Sequence, residues 1–179
     1  MSALKPIDPT GARILITNDD GVHAPGIRVL EEIARTLSDD VWTVAPETEQ
    51  SATSHSLTVR RPLRLRQLEP RRHSVDGTPT DSVVVATAKV LADRKPDLVL
   101  SGINLGSNLA EDVTYSGTVA AAMEAALLGL PSIALSLNRR GDHDFRWQTP
   151  KAHAARVIRQ ICAAGFGPDT LVNVNFPDV

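Results

Sequence analysis

Two adjacent carboxylates, Asp19 and Asp20, follow a short apolar run and precede a glycine in the order Asn18-Asp19-Asp20-Gly21. Paired carboxylates supply hard anionic oxygens, which suit magnesium, manganese or calcium better than zinc or copper. The same four residues are strong turn chemistry, and a DG pair after a strand is also a hairpin signal. Three other clusters could do chemistry. Gln50-Ser51-Ala52-Thr53-Ser54-His55-Ser56 is rich in hydroxyls, and residues 102–108 hold Gly102, Asn104, Gly106 and Asn108, a composition that lets a backbone approach something closely. Tyr115-Ser116-Gly117-Thr118 opens an alanine-rich stretch. A helix start there offers hydroxyls and unpaired amides to a phosphate, although Ser116 serves equally as a plain N-cap.

The elements that must position these residues follow from periodicity. Residues 13–17 have the aliphatic, β-branched content of a buried strand. After Pro25, the residues Ile27, Leu30, Ile33, Ala34 and Leu37 recur at helical spacing, which favours strand, acidic loop and helix over a hairpin. A helix is expected over 25–38 and a second strand over 41–45. Residues 57–76 alternate in short pieces, Leu57 with Val59 and Leu63 with Leu65, broken by Pro62, and predict a small β excursion with an edge or bulge. Arg60, Arg61, Arg64, Arg66, Arg71 and Arg72 lie there and read as a solvated face before an anion-attracting one. Thr78-Pro79-Thr80-Asp81 has the grammar of a helix start, and that helix is expected to run to residue 92. Strands over 98–101, 132–137 and 171–175 and helices over 119–128 and 150–164 complete the pattern, with a charged connection at 138–148.

Strands alternating with helices predict an α/β fold, a Rossmann-like three-layer α/β/α sandwich with a mainly parallel sheet. Ligands of such sheets bind beyond the carboxyl ends of the strands. The clusters at 18–21, 50–56 and 102–108 each follow a strand, so they converge on that edge. Asp19, Asp20, the Ser51 hydroxyl and the Asn104 side-chain carbonyl would then form an all-oxygen site facing a phosphate at 116–118.

Composition narrows the partners. With 179 residues, 42% apolar and 22% charged, the chain reads as a single domain over 1–179. A net charge of −2 and an aromatic content of 3% argue against a nucleic acid polymer as partner. Residues 1–10 are polar, and no apolar run approaches membrane length, so no membrane partner and a cytoplasmic location are expected. Cys162 stands alone and is expected in the core, and the five histidines show no zinc-type pairing. His23 and His55 fall near the polar loops but read more simply as groups satisfying loop hydrogen bonds. His73, His143 and His153 suggest no role.

Five motifs in register carry a resemblance. Ile-Leu-Ile-Thr-Asn-Asp-Asp-Gly at 14–21, Ala-Pro at 45–46 followed by the 50–56 cluster, Val-Asp-Gly-Thr-Pro-Thr-Asp at 75–81, Ser-Gly-Ile-Asn at 101–104 with Gly106 and Asn108, and Tyr-Ser-Gly-Thr at 115–118 resemble the SurE family of survival-protein nucleotidases. The resemblance implies a divalent-metal-dependent phosphomonoesterase, a 5′-nucleotidase that hydrolyses nucleoside 5′-monophosphates through a metal-activated water, with some members taking 3′-nucleotides or short polyphosphate. It implies one magnesium or manganese ion per subunit, held by Asp19, Asp20, Ser51 and Asn104, with Asp19 and Asp20 catalytic. Ser116, Gly117 and Thr118 carry over as the phosphate-binding segment, with Asn18, Gly102 and Asn108 on the substrate side. Members usually continue past the strand at 171–175 into a carboxyl-terminal part that builds dimers and tetramers. Here the chain stops at Val179, so a homodimer or homotetramer is expected with that extension missing.

Two other readings use an acidic pair after a first strand. A receiver-type signalling domain needs a phosphoaccepting Asp at the end of its third strand, where this chain has Ser101-Gly102. A phosphatase of the haloacid dehalogenase type needs an Asp-x-Asp arrangement for its nucleophile, and here the acids are adjacent.

Overall fold

A computed structural model describes residues 5–138 and 146–179. Among them, the chain runs β1 (Ile14–Thr17), α1 (Pro25–Arg35), β2 (Val41–Pro46), β3 (Leu65–Glu69), β4 (Arg72–Val75), α2 (Pro79–Val85) and β5 (Leu98–Leu105). It continues through α3 (Asp112–Tyr115), α4 (Gly117–Leu127), β6 (Ser132–Leu137), α5 (Gln148–Ala164) and β7 (Leu171–Phe176). One seven-stranded sheet has the order β3-β4-β2-β1-β5-β6-β7, and only the β3–β4 pair is antiparallel.

The strand sequences explain the layering. Successive side chains of a strand face opposite ways. In β1, Ile14 and Ile16 enter one apolar cluster with Ile27 and Leu30 of α1 and Ile158 and Cys162 of α5. Leu15 enters another with Val83 of α2 and Ala121 and Ala125 of α4. Strands 98–100 repeat this division, Leu98 and Leu100 on the first side and Val99 on the second. Both faces are therefore covered, which is why these strands read as unbroken apolar runs. Alanines on α4 keep it close to the sheet. Cys162 is buried and free, as a small core residue.

Local rules hold at the start of α2. The Thr78 hydroxyl accepts from the Asp81 amide at 3.0 Å while Asp81 Oδ2 accepts from the Thr78 amide at 2.9 Å, a reciprocal capping box with Pro79 in the first turn. The helix then passes into a π-helical turn over Ala86–Val90, two residues short of the expected end.

Three expectations need correction. The alternation at Leu57 and Val59 makes no strand: these residues are 50% and 81% exposed, and among the described residues no strand or helix covers them. The excursion is confined to β3 and β4. Second, β5 does not stop at residue 101 but resumes after a register shift between Ser101 and Asn104, so Asn104 sits on a strand rather than in a loop. Gly102 makes this possible: its φ is +134°, and a Cβ there would lie 2.2 Å from the Leu135 carbonyl oxygen. Third, α5 begins at Gln148, before the expected residue 150.

Most of the arginine run is spent on nearby carboxylates. Arg61 and Arg64 pair with Asp76, Arg66 with Glu47, Arg71 with Asp40 and Arg72 with Glu31. The charged connection expected over 138–148, with His143, falls largely on residues 139–145, outside the described residues, as do residues 1–4 of the polar start. Among the described residues no helix is long and apolar enough to cross a membrane.

Candidate metal and phosphate site

The acidic loop leaves β1 at the carboxyl edge of the sheet and is tied down on every side. The Asn18 amide nitrogen donates to the Gly21 carbonyl at 2.9 Å, the Val22 amide to the Pro46 carbonyl at 2.8 Å, and the Gln50 amide to the Asp19 carbonyl at 2.7 Å. The Arg72 guanidinium donates to the Val22 carbonyl and to both Glu31 oxygens, the latter at 2.7 Å, and Thr43 donates to Glu31 at 2.6 Å. This buried ion pair on β4 and α1 thus holds the exit of the acidic loop in place.

Asp19 is seated against the start of α4. Only 5% of it is exposed, and the Thr118 hydroxyl donates to its Oδ1. Gly117 leaves the necessary room: a Cβ there would meet Asp19 Cβ at 2.7 Å. Ser116 is the N-cap of α4, its hydroxyl accepting from the Val119 amide at 3.1 Å.

A cleft of about 650 Å³ opens beside this seat, and Asp19, Asp20, Ser51, Asn104, Asn108 and Ser116 all line it. Glu49 adds a third carboxylate. Ser51 Oγ donates to Glu49 Oε1 at 2.7 Å, which leaves the hydroxyl lone pairs free for a ligand. Asn104 gives its amide nitrogen to the Gly106 carbonyl at 3.0 Å, leaving its side-chain oxygen for a ligand. Burial pushes the Asp19 carboxyl above its ordinary range, opposed by the Thr118 hydroxyl and amide. Asp20 is pushed up to about 7, by burial first and then by the negative charges of Asp19 and Glu49.

The donor set fits a hard divalent cation. Asp20 Oδ2 is buried without a hydrogen-bond partner, the negative charges are uncompensated, and every available donor is oxygen. Among the described residues no group of three or more His, Cys, Asp or Glu side chains is placed to hold a metal, so a cation here would rely on neutral oxygens as well as the two aspartates.

The survival protein SurE family model matches residues 14–179. The chain belongs to that family. It is 63% identical over 172 residues to the 5′-nucleotidase SurE of Paramagnetospirillum magneticum, an alignment covering 96% of this chain and 66% of that protein. Identity to the 5′-nucleotidase SurE of a Methylobacterium species is 61% over 168 residues, covering 93% of this chain and 66% of the relative. The crystal structure of the SurE protein from Aquifex aeolicus matches with a TM-score of 0.86 at 42% identity, covering 96% of this chain and 67% of that one. The chain therefore spans about two thirds of the length of the relatives it matches. Membership sets aside the receiver and haloacid dehalogenase readings.

Within the SurE motifs the structure separates residues that line the cleft from residues that stand behind it. Asn18 is fully buried, and its side chain closes the acidic turn. Gly102 packs against β6 rather than facing the cleft. Of the 116–118 segment, Ser116 lines the cleft, while Gly117 packs against Asp19 and the Thr118 hydroxyl donates to Asp19 Oδ1. Asn108 lines the cleft but is also a latch: its side chain donates to Ser136 at 2.9 Å, and its amide donates to Asn175 Oδ1 at 2.8 Å. His55 pairs with Glu124 at 2.8 Å, and His23 is exposed; neither lines the cleft. Sequence reasoning missed Glu49, Leu105, Asp112 and Tyr115 on the cleft wall. Glu49 stands two residues before Ser51 and Tyr115 one before Ser116, so proximity along the chain was a usable signal for both.

Proposed function

We propose that the SurE motifs of this chain form a divalent-metal-dependent phosphomonoesterase, a 5′-nucleotidase acting on nucleoside 5′-monophosphates, with 3′-nucleotides and short polyphosphate as secondary substrates. The observation that carries the reading is the convergence of Asp19, Asp20, Ser51 and Asn104 on one cleft, with a buried, unpartnered oxygen on Asp20. The names of the relatives, 5′-nucleotidase SurE, support it.

Asp19, Asp20, Ser51 and Asn104 would hold one magnesium or manganese ion. Such an ion supplies Lewis acidity toward a phosphoryl oxygen and lowers the pKa of water. The side chains divide the remaining work. Asp19, with one oxygen engaged by Thr118, is a fixed anchor. Asp20 has its Oδ2 free of partners and accepts the proton of the attacking water. The Ser116 side chain, at the start of α4, lines the cleft and would face the phosphoryl group. Asn108, latched to β6 and β7, completes the substrate side.

Phosphate release from a panel of nucleotides, ribose 5-phosphate and polyphosphate, measured with manganese, magnesium or a chelator, tests the reading. Turnover of nucleoside monophosphates that the chelator abolishes is expected; turnover indifferent to the chelator, or none from any nucleotide, overturns it. The relatives' family suggests a homodimer or homotetramer, which light scattering of the chain would check.

A further inference from the structure

The cleft has two chemical halves. One is the oxygen-rich set around Asp19 and Asp20; the other presents Leu105 and Tyr115, which are 36% and 64% exposed and line the same opening. Aromatic residues make up only 3% of the chain, so an aromatic ring left in water on a polar cleft is unusual here. Exposed Leu127 and Leu128, at the carboxyl end of α4 and just past it, do not line it.

Tyr115 is exposed without being loose. Its carbonyl accepts from the Ser54 amide at 3.2 Å, and the preceding Thr114 carbonyl accepts from the Ser54 hydroxyl at 2.8 Å. The next residue, Ser116, donates its amide to the Asp112 carbonyl at 3.0 Å and starts α4. Both flanks of the ring are therefore anchored, and the ring itself has no stacking partner among the described residues, where the stacked pair is Trp42 with His73. A fixed backbone with an unpartnered aromatic side chain is a low-entropy platform for a planar ligand.

We propose that Tyr115 is a specificity-determining residue that stacks the nucleobase of the substrate, one residue along the chain from the Ser116 end that faces the phosphate. This rests on the nucleotidase reading and adds what selects a nucleotide over any other phosphomonoester. Base stacking on an aromatic side chain tolerates every base and grows with ring area, so purine nucleotides are favoured over pyrimidine ones. Leu105, which lines the same cleft, offers an apolar contact.

The measurement is a ratio: kcat/KM for adenosine 5′-monophosphate over that for ribose 5-phosphate, in the wild type, Tyr115→Ala and Tyr115→Phe, with manganese present. The ratio falls about tenfold in Tyr115→Ala and is retained in Tyr115→Phe, because the ring rather than the hydroxyl makes the contact. An unchanged ratio in Tyr115→Ala overturns the proposal, even if both rates drop, since a ring that only shaped the loop would affect both substrates alike. If the wild type hydrolyses neither compound, the nucleotidase reading falls separately. Calorimetric binding of the same two compounds then decides on Tyr115: a preference for the nucleotide that Tyr115→Ala erases supports the subsite, and equal affinities overturn it.

Discussion

The two walls of the cleft are built differently. The Asp19 wall is rigid by construction: the carboxylate is buried, bonded by Thr118, pressed against Gly117, and its loop is clamped by Arg72 and Glu31. The Ser51 wall is an exposed loop whose hydroxyl bonds to Glu49 two residues away and whose ties to the rest of the molecule run through the Gln50 amide on the Asp19 carbonyl and through Ser54 and His55. One wall borrows its geometry from the sheet and α4; the other is held by two backbone hydrogen bonds and a few side-chain contacts. Damage to the first should therefore displace the anchor, whereas damage to the second should only weaken a ligand.

The contrast breaks most sharply at Gly117. Gly117→Ala ordinarily favours a helix start, yet its Cβ would meet Asp19 Cβ at 2.7 Å, so turnover should fall by at least about a hundredfold while α4 itself is not weakened. Steady-state kinetics beside a thermal melt would check it; near-normal turnover would show that the Asp19 wall yields.

Thr118→Val comes next. It removes a hydrogen bond to a buried carboxylate, which is worth enough to lower turnover about tenfold to a hundredfold and to weaken manganese binding read by electron paramagnetic resonance without substrate. If Thr118 instead touched phosphate alone, KM would rise and manganese affinity would hold.

Ser51→Ala probes the other wall. With Ser51 exposed, the melting temperature should stay within about a degree while manganese affinity drops roughly tenfold. Equal losses of stability and affinity would erase the distinction between the walls.

The smallest effect concerns pH. Asp20, raised from 3.8 to about 7 mainly by burial, binds its proton more tightly folded than unfolded. Its contribution to stability is thus fully present below about pH 4 and is lost as pH rises through about 7 in the metal-free chain. Partial exposure to solvent limits this to on the order of 1–2 kcal/mol. Asp20→Asn should flatten that part of the decline between pH 4 and 8 in chelator, as read by denaturant midpoints; a wild type that gains stability relative to the variant over that range contradicts the burial argument.

Much of this arrangement was legible in the chain. The apolar runs at 14–17, 98–100 and 132–137 announced strands covered on both faces, and Thr78-Pro79-Thr80-Asp81 announced its own capping box, because local hydrogen bonds and period-two burial depend on nearest neighbours. The 57–64 segment misled because alternation signals a strand only where another element covers one face. The end of β5 misled because Gly102 reads as a loop residue, whereas its use is close contact with Leu135 across the sheet.

By itself, the sequence determined the α/β order, the carboxyl-edge position of the polar clusters and the membership that their register carries. Tertiary structure alone decided how the Ser116-Gly117-Thr118 segment is divided: Ser116 to the cleft, Gly117 and Thr118 to contacts with Asp19. It also decided that Glu49 and Tyr115 belong to the cleft. Spacing along a helix start tells which groups are unpaired, but which of them meets a ligand and which meets a neighbouring loop depends on a contact between residues 99 positions apart, and no local pattern encodes that.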